Sequence, residues 1–122
     1  MELDDLNESE RLVLIAALGY VIGSDARVSE AEHAVIRRVA TALGDDAYRV
    51  IAAECGRRFR DEQQLLMFAP VIQRPAAREL IYETVLEAAL PDVIDARESE
   101  LLEQMAKIWH IHVSVEPPSG TR

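Results

Sequence analysis

Apolar residues recur along this chain at helical spacing, in six blocks separated by short polar breaks. The first block runs from about Asn7 to Gly23 and is apolar on nearly every face, which predicts a helix at the centre of the fold. Asn7 and Glu10 have the spacing of a capping box at its start. The second block follows Ser29, with Val35, Ile36, Val39 and Leu43 at intervals of three and four, and Gly44 as its stop. Tyr48, Ile51, Ala52, Cys55 and Phe59 form the stripe of a third helix. Asp61 with Gln64 predicts a further cap, leading into Leu65, Leu66, Phe68, Ala69 and Ile72, with Pro70 kinking or ending that fourth segment. Pro75 suits the first turn of a fifth helix, which carries Leu80, Ile81 and Val85 and reaches about Leu90. Asp95 caps the sixth, which turns Leu101, Leu102, Met105, Ile108 and Trp109 inward. The β-branched run from Ile111 to Val115 could be extended, but a lone strand has no partner. The pattern therefore predicts an all-α bundle of six helices, one domain over residues 1–112, with 113–122 a flexible tail in which Glu116, Pro117, Pro118, Ser119 and Gly120 have nothing to pack.

Composition narrows the function classes. At 122 residues, 49% apolar and 29% charged, the chain can bury a core of its own, and wholesale disorder is excluded. Thirteen Lys and Arg against 22 Asp and Glu give a net charge of −9, which argues against a nucleic-acid partner and favours a cation or a basic protein surface. The start, Met1-Glu2-Leu3-Asp4-Asp5, lacks the layout of a signal peptide, and the longest apolar stretch, Leu12 to Ile22, is too short for a membrane span. A soluble cytoplasmic protein, not itself a membrane protein, is the expectation. Cys55 is alone and sits in an apolar stripe, so it reads as a buried, inert thiol.

Two stretches spell the same device: Val28-Ser29-Glu30-Ala31-Glu32 and Ile94-Asp95-Ala96-Arg97-Glu98. Each has an apolar residue, a capping residue and a Glu three further on, and each follows a turn with an extra carboxylate, Asp25 or Asp92. An offset of 70 residues between the copies gives more identities, but it sets Val21 opposite Pro91 and Glu32 opposite Leu102. An offset of 66 keeps the core positions in phase, pairing Val35 with Leu101, Ile36 with Leu102, Val39 with Met105 and Leu43 with Trp109. Burial phase constrains a helix more than surface letters do, so the second register is preferred. It implies quasi-duplicated helical hairpins with a third pair between them.

A long apolar helix, an Asp in the turn, a Glu seven residues later, an amphipathic helix, and a second such unit near the C-terminus resemble the tellurite-resistance TerB-like family. The resemblance covers roughly Leu12 to Ile111. It implies an all-helical domain of duplicated hairpins whose acidic residues hold metal ions, with members linked to tellurite and other stress resistance. Related domains occur fused to DnaJ-type and membrane-associated proteins, which implies a protein partner, one that can itself be membrane-associated; self-association is left open. Carried over by position, Asp25 and Glu32 match the first acidic pair and Glu98 the second Glu. The family glycine after the Asp is Ala26 here, and the second Asp position falls on Pro91, with Asp92 one residue later.

The same residues also read as plain helix caps. Ser29 with Glu32, and Asp95 with Glu98, are capping boxes, each typically worth about 0.5–2 kcal/mol to its helix. Asp25 and Asp92 lie before the caps, where the box does not need them. If the duplicated hairpins bring both turns to one end of the bundle, Asp25, Glu32, Asp92, Asp95 and Glu98 form an oxygen-only cluster suited to Ca²⁺ or Mg²⁺. His33 falls in the first turn of its helix, and His110 and His112 form a pair without a third nitrogen or thiolate ligand near in sequence. Gly19 and Gly23 read as close helix packing and a helix end, not as a phosphate cradle. No nucleophile and base, phosphate loop or catalytic acid pair stands out. The expectation is a non-enzymatic domain that binds a divalent cation or serves as a scaffold in a stress response. The competing expectation is a metal-free acidic adaptor for a basic protein surface.

Overall fold

The computed structural model describes residues 1–23, 30–89 and 96–111. It contains six α-helices: α1 (Glu8–Gly23), α2 (Glu30–Leu43), α3 (Asp45–Arg58), α4 (Glu62–Phe68), α5 (Pro75–Ala89) and α6 (Ala96–Trp109). Two short 3₁₀ turns, Leu3–Asp5 and Ala69–Val71, precede α1 and follow α4. No strand occurs among the described residues, and the chain is all-α, as the apolar spacing predicts. Leu90 and the run 112–115 lie outside the described residues, as does the tail.

The helix without a polar face is the hub. Every residue from Leu12 to Leu18 is buried, because α1 packs against α3, α4, α5 and α6 and so meets protein on all sides. The helices around it bury a stripe each. α5 turns Ala77, Ile81, Val85 and Ala88 inward, and α6 turns in Leu101, Leu102, Met105 and Trp109. Arg38 of α2 and Glu87 of α5 form a two-pronged ion pair at 2.8 and 3.0 Å. Both side chains are about half exposed, so the pair orients α2 on α5 more than it stabilises the contact.

The helix ends follow from local chemistry. The backbone N–H of Glu10 donates to the Asn7 side chain at 2.9 Å, and the N–H of Asn7 donates back to the Glu10 carboxylate at 2.8 Å, completing the predicted box. Gly44 ends α2 and starts α3 at once: its N–H donates to the Ala40 carbonyl and its own carbonyl accepts from Tyr48, both at 2.8 Å. Its φ of +97° is a conformation that disfavours any side chain. At α4 the Asp61 side chain accepts from the N–H of Gln64 at 3.0 Å, as predicted. The Gln64 side chain, however, reaches the N–H of Arg60 at 2.6 Å, one residue before the cap. Pro70 coincides with the end of α4, where the chain tightens into the 3₁₀ turn before leaving at Ile72. The carbonyl of Ala69 in that turn accepts both the N–H of Ile72 at 3.0 Å and the indole N–H of Trp109 at 2.9 Å.

α6 ends in a Schellman motif: Ile111 N–H donates to the Ala106 carbonyl and His110 N–H to that of Lys107. The motif needs a left-handed residue, and His110 supplies it at φ 57° despite its Cβ. His110→Gly is therefore expected to stabilise the fold by about 0.5–1 kcal/mol, read as a higher urea midpoint at unchanged slope. An unchanged or lower midpoint contradicts this account of the helix end.

Candidate functional site at the interhelical turns

The acidic residues singled out by sequence belong to the turns between α1 and α2 and between α5 and α6. Asp25, Ser29, Asp92 and Asp95 lie outside the described residues. Two of the set fall within helices. Glu32 lies in α2 and Glu98 in α6. Side chains of α6 are described only from Glu100 onward, so the Glu98 carboxylate is outside the described set.

Glu32 is the informative one. Its side chain is 1% exposed, while its helix neighbours Glu30 and His33 are exposed. Local sequence explains a Glu at this position but not its burial, since a capping glutamate needs only its own helix start. The carboxylate lies out of water, seven residues after Asp25 in sequence. Among the described residues no three His, Cys, Asp or Glu side chains gather closely enough to share a metal ion.

A second buried acid had only a capping role in the sequence. Glu10 is also 1% exposed, and its carboxylate accepts two hydrogen bonds from the Arg74 guanidinium, one of them at 2.8 Å from Nε. Arg74 also donates to the Asp5 carbonyl at 3.1 Å, and Arg11 donates to the carbonyls of Leu6 and Asp4. The Arg74 hydrogen bond holds the Glu10 carboxyl below its usual range against the opposing effect of burial, with the Asn7 N–H assisting. This cluster ties the N-terminal turn to α1 and to the start of α5, and its geometry is that of a structural latch. Nothing in sequence spacing pairs residues 10 and 74; the capping box was visible and the arginine was not.

Of the other candidates, His33 and His110 are exposed and His112 is outside the described residues. Cys55 is buried, its thiol donates to the Leu12 carbonyl at 3.3 Å, and burial pushes its pKa up to about 11. That is the state of an inert thiol, as its apolar stripe predicts. Gly19 departs from expectation. A Cβ built on it would meet nothing within 4 Å, so close helix packing is not what places a glycine there.

No family model, no curated protein and no solved structure matches this chain. Its chemistry has to be read from its own residues. Among the described residues, no helix is long and apolar enough to cross a membrane.

Proposed function

We propose that this chain is a non-enzymatic TerB-like helical domain whose first interhelical turn, through Asp25 and Glu32, holds a hard divalent cation within a stress-response assembly. The burial of Glu32 carries the metal part of the reading: a carboxylate kept from water meets less solvent competition for Ca²⁺ or Mg²⁺ than an exposed one. A 66-residue register between the two halves supports the family part. α2 ends at Leu43 and α6 at Trp109, 66 residues apart. The same register sets buried residues opposite buried ones, Ile15 with Ile81, Val35 with Leu101 and Val39 with Met105. The 70-residue register would instead carry the end of α2 to residue 113, beyond the end of α6.

Asp25 and Glu32 would supply the oxygen donors in the first copy, and Asp92, Asp95 and Glu98 those of the second. Such a cation would fasten the turn to the first turn of α2 and offset the charge of the carboxylates around it. Calorimetric titration with Ca²⁺ and Mg²⁺ tests this. Glu32→Gln keeps the capping box, which accepts Gln, and removes the ligand charge. The wild type is expected to bind a divalent ion, with Glu32→Gln and Asp25→Asn each weaker by roughly tenfold, about 1.4 kcal/mol. No binding by the wild type, or unchanged binding in both variants, removes the metal and leaves the acidic adaptor as the surviving reading.

A further inference from the structure

Two large apolar side chains stand in water at the end of α4. Met67, in its last turn, is 71% exposed, and Val71, just beyond, is 52% exposed. Met67 lines a groove of about 420 Å³ between α4 and α6, together with the half-buried Leu66 and Ile108. Glu62 of α4 and Glu100 of α6 line it as well, with Gln104 between Glu100 and Ile108.

This groove has a direction. The Trp109 indole bond to the Ala69 carbonyl ties the last turn of α6 to the end of α4, while Glu62 and Glu100 lie early in the same two helices. The helices therefore run side by side in one sense, with carboxylates towards one end and Met67 and Ile108 towards the other. On α6 the residues Glu100, Gln104 and Ile108 form one row at intervals of four, about 12 Å long.

Charge sets it apart. An open apolar groove between α1, α2 and α3 has no charged side chain in its walls, so nothing there selects an occupant. The clefts beside Val50 and Leu3 carry an arginine as well as carboxylates, Arg58 in one and Arg38 in the other. Between α4 and α6 both charged lining residues are acidic, and the exposed Glu103 stands one turn beyond Glu100. Glu62 is engaged within the chain, so the charge open to a partner rests on Glu100 and Glu103. Among the described residues no cation pairs with either.

We propose that this groove docks a basic amphipathic helix of a partner protein. The apolar face of that helix lies on Leu66, Met67 and Ile108, and a lysine or arginine about two turns away meets Glu100. The row on α6 sets that spacing at about seven or eight residues. Met67, flexible and soft, adapts to the side chain it meets. The net charge of −9 steers a basic partner in and repels both a second copy of this chain and an anionic lipid surface. The inference needs no cation at the interhelical turns, and its test is run in EDTA so that the two proposals stand or fall separately.

The probe is a labelled helical peptide of about 18 residues, a leucine stripe flanked by lysines, titrated with the full chain at low salt and read by fluorescence anisotropy. Saturable one-to-one binding is expected. A glutamate-flanked version, and a lysine peptide of the same composition with its stripe scrambled, should each bind at least about tenfold more weakly. Met67→Lys removes the apolar contact and Glu100→Lys reverses the charge of the rim. Both positions are exposed, so Tm should hold while each variant weakens the lysine-flanked peptide by about tenfold or more. Glu83→Lys makes the same charge change on exposed α5 surface outside the groove and should weaken it by less than about threefold. The proposal is overturned if the lysine-flanked peptide does not saturate, if the scrambled peptide binds as tightly, or if Met67→Lys and Glu100→Lys both bind like wild type. A loss in Glu83→Lys equal to that in Glu100→Lys also overturns it, since overall charge is then the cause. So does a wild type that self-associates while Met67→Lys is monomeric, because the groove is then an interface between copies of the chain.

Discussion

Trp109→Ala is expected to destabilise the fold by about 3–5 kcal/mol, the range for removing a large aromatic from a core. Trp109 is 3% exposed and sits in the last turn of α6, where its indole N–H reaches the Ala69 carbonyl in the 3₁₀ turn after α4. It ties the end of α6 to that turn, and the loss combines a cavity with a missing hydrogen bond. Trp109→Phe separates the two contributions. It keeps much of the ring and removes the donor, while the Ala69 carbonyl still accepts from Ile72, so no acceptor is left bare. A smaller cost of about 1–2 kcal/mol is expected. Trp109 is the sole tryptophan, so urea unfolding should be followed by circular dichroism, not fluorescence. Equal losses in both variants would show that the hydrogen bond, not the packing, dominates.

Arg74→Ala should come second. Removing one member of a buried ion pair costs about 3–5 kcal/mol because the other charge is left uncompensated. Here the Arg74 side chain is 48% exposed, so water can reach the gap and the loss is expected to fall below that range. The pH dependence identifies the cause. In the wild type the folded state holds the Glu10 pKa below its unfolded value, so the latch contributes fully above the ordinary Glu pKa, about 4.3, and its contribution is lost as pH falls through the lower folded value. In Arg74→Ala burial becomes the larger influence on Glu10 and raises its pKa. The protein then gains by protonating, and the deficit relative to wild type narrows in acid. A deficit that stays constant from pH 7 to about pH 4 would mean that Arg74 acts through its hydrogen bond to the Asp5 carbonyl instead.

Most of the helix order was legible because each signal concerned its own element. The box of Asn7 and Glu10, the stop at Gly44, the cap at Asp61 and the proline at the head of α5 each act within one or two turns of chain. The central place of α1 was legible too, since a helix with no polar face has few other places to go. What the sequence did not reveal lies between elements. The partner of Glu10 is 64 residues away and on another helix, and arginines are too frequent here for one to be picked out by spacing. Gly19 was read as a point of close approach; only the position of α3 shows that the space beside it is open. In the candidate site, a capping Glu for α2 and for α6 was expected, but the burial of Glu32 depends on what packs against it. No local pattern encodes that.

Gly44 belongs to two helices at once, and this leaves α2 and α3 joined by an elbow with no slack. A loop of several residues would let the two rods spread or close as their side chains demanded. A single shared residue sets their angle through one pair of backbone torsions. Ile36 on α2 and Tyr48 and Ala52 on α3 line one open groove beside α1. Its width is thus determined by the chain's own geometry before anything enters. A molecule that fits would find a rigid slot and lose little affinity to rearranging it.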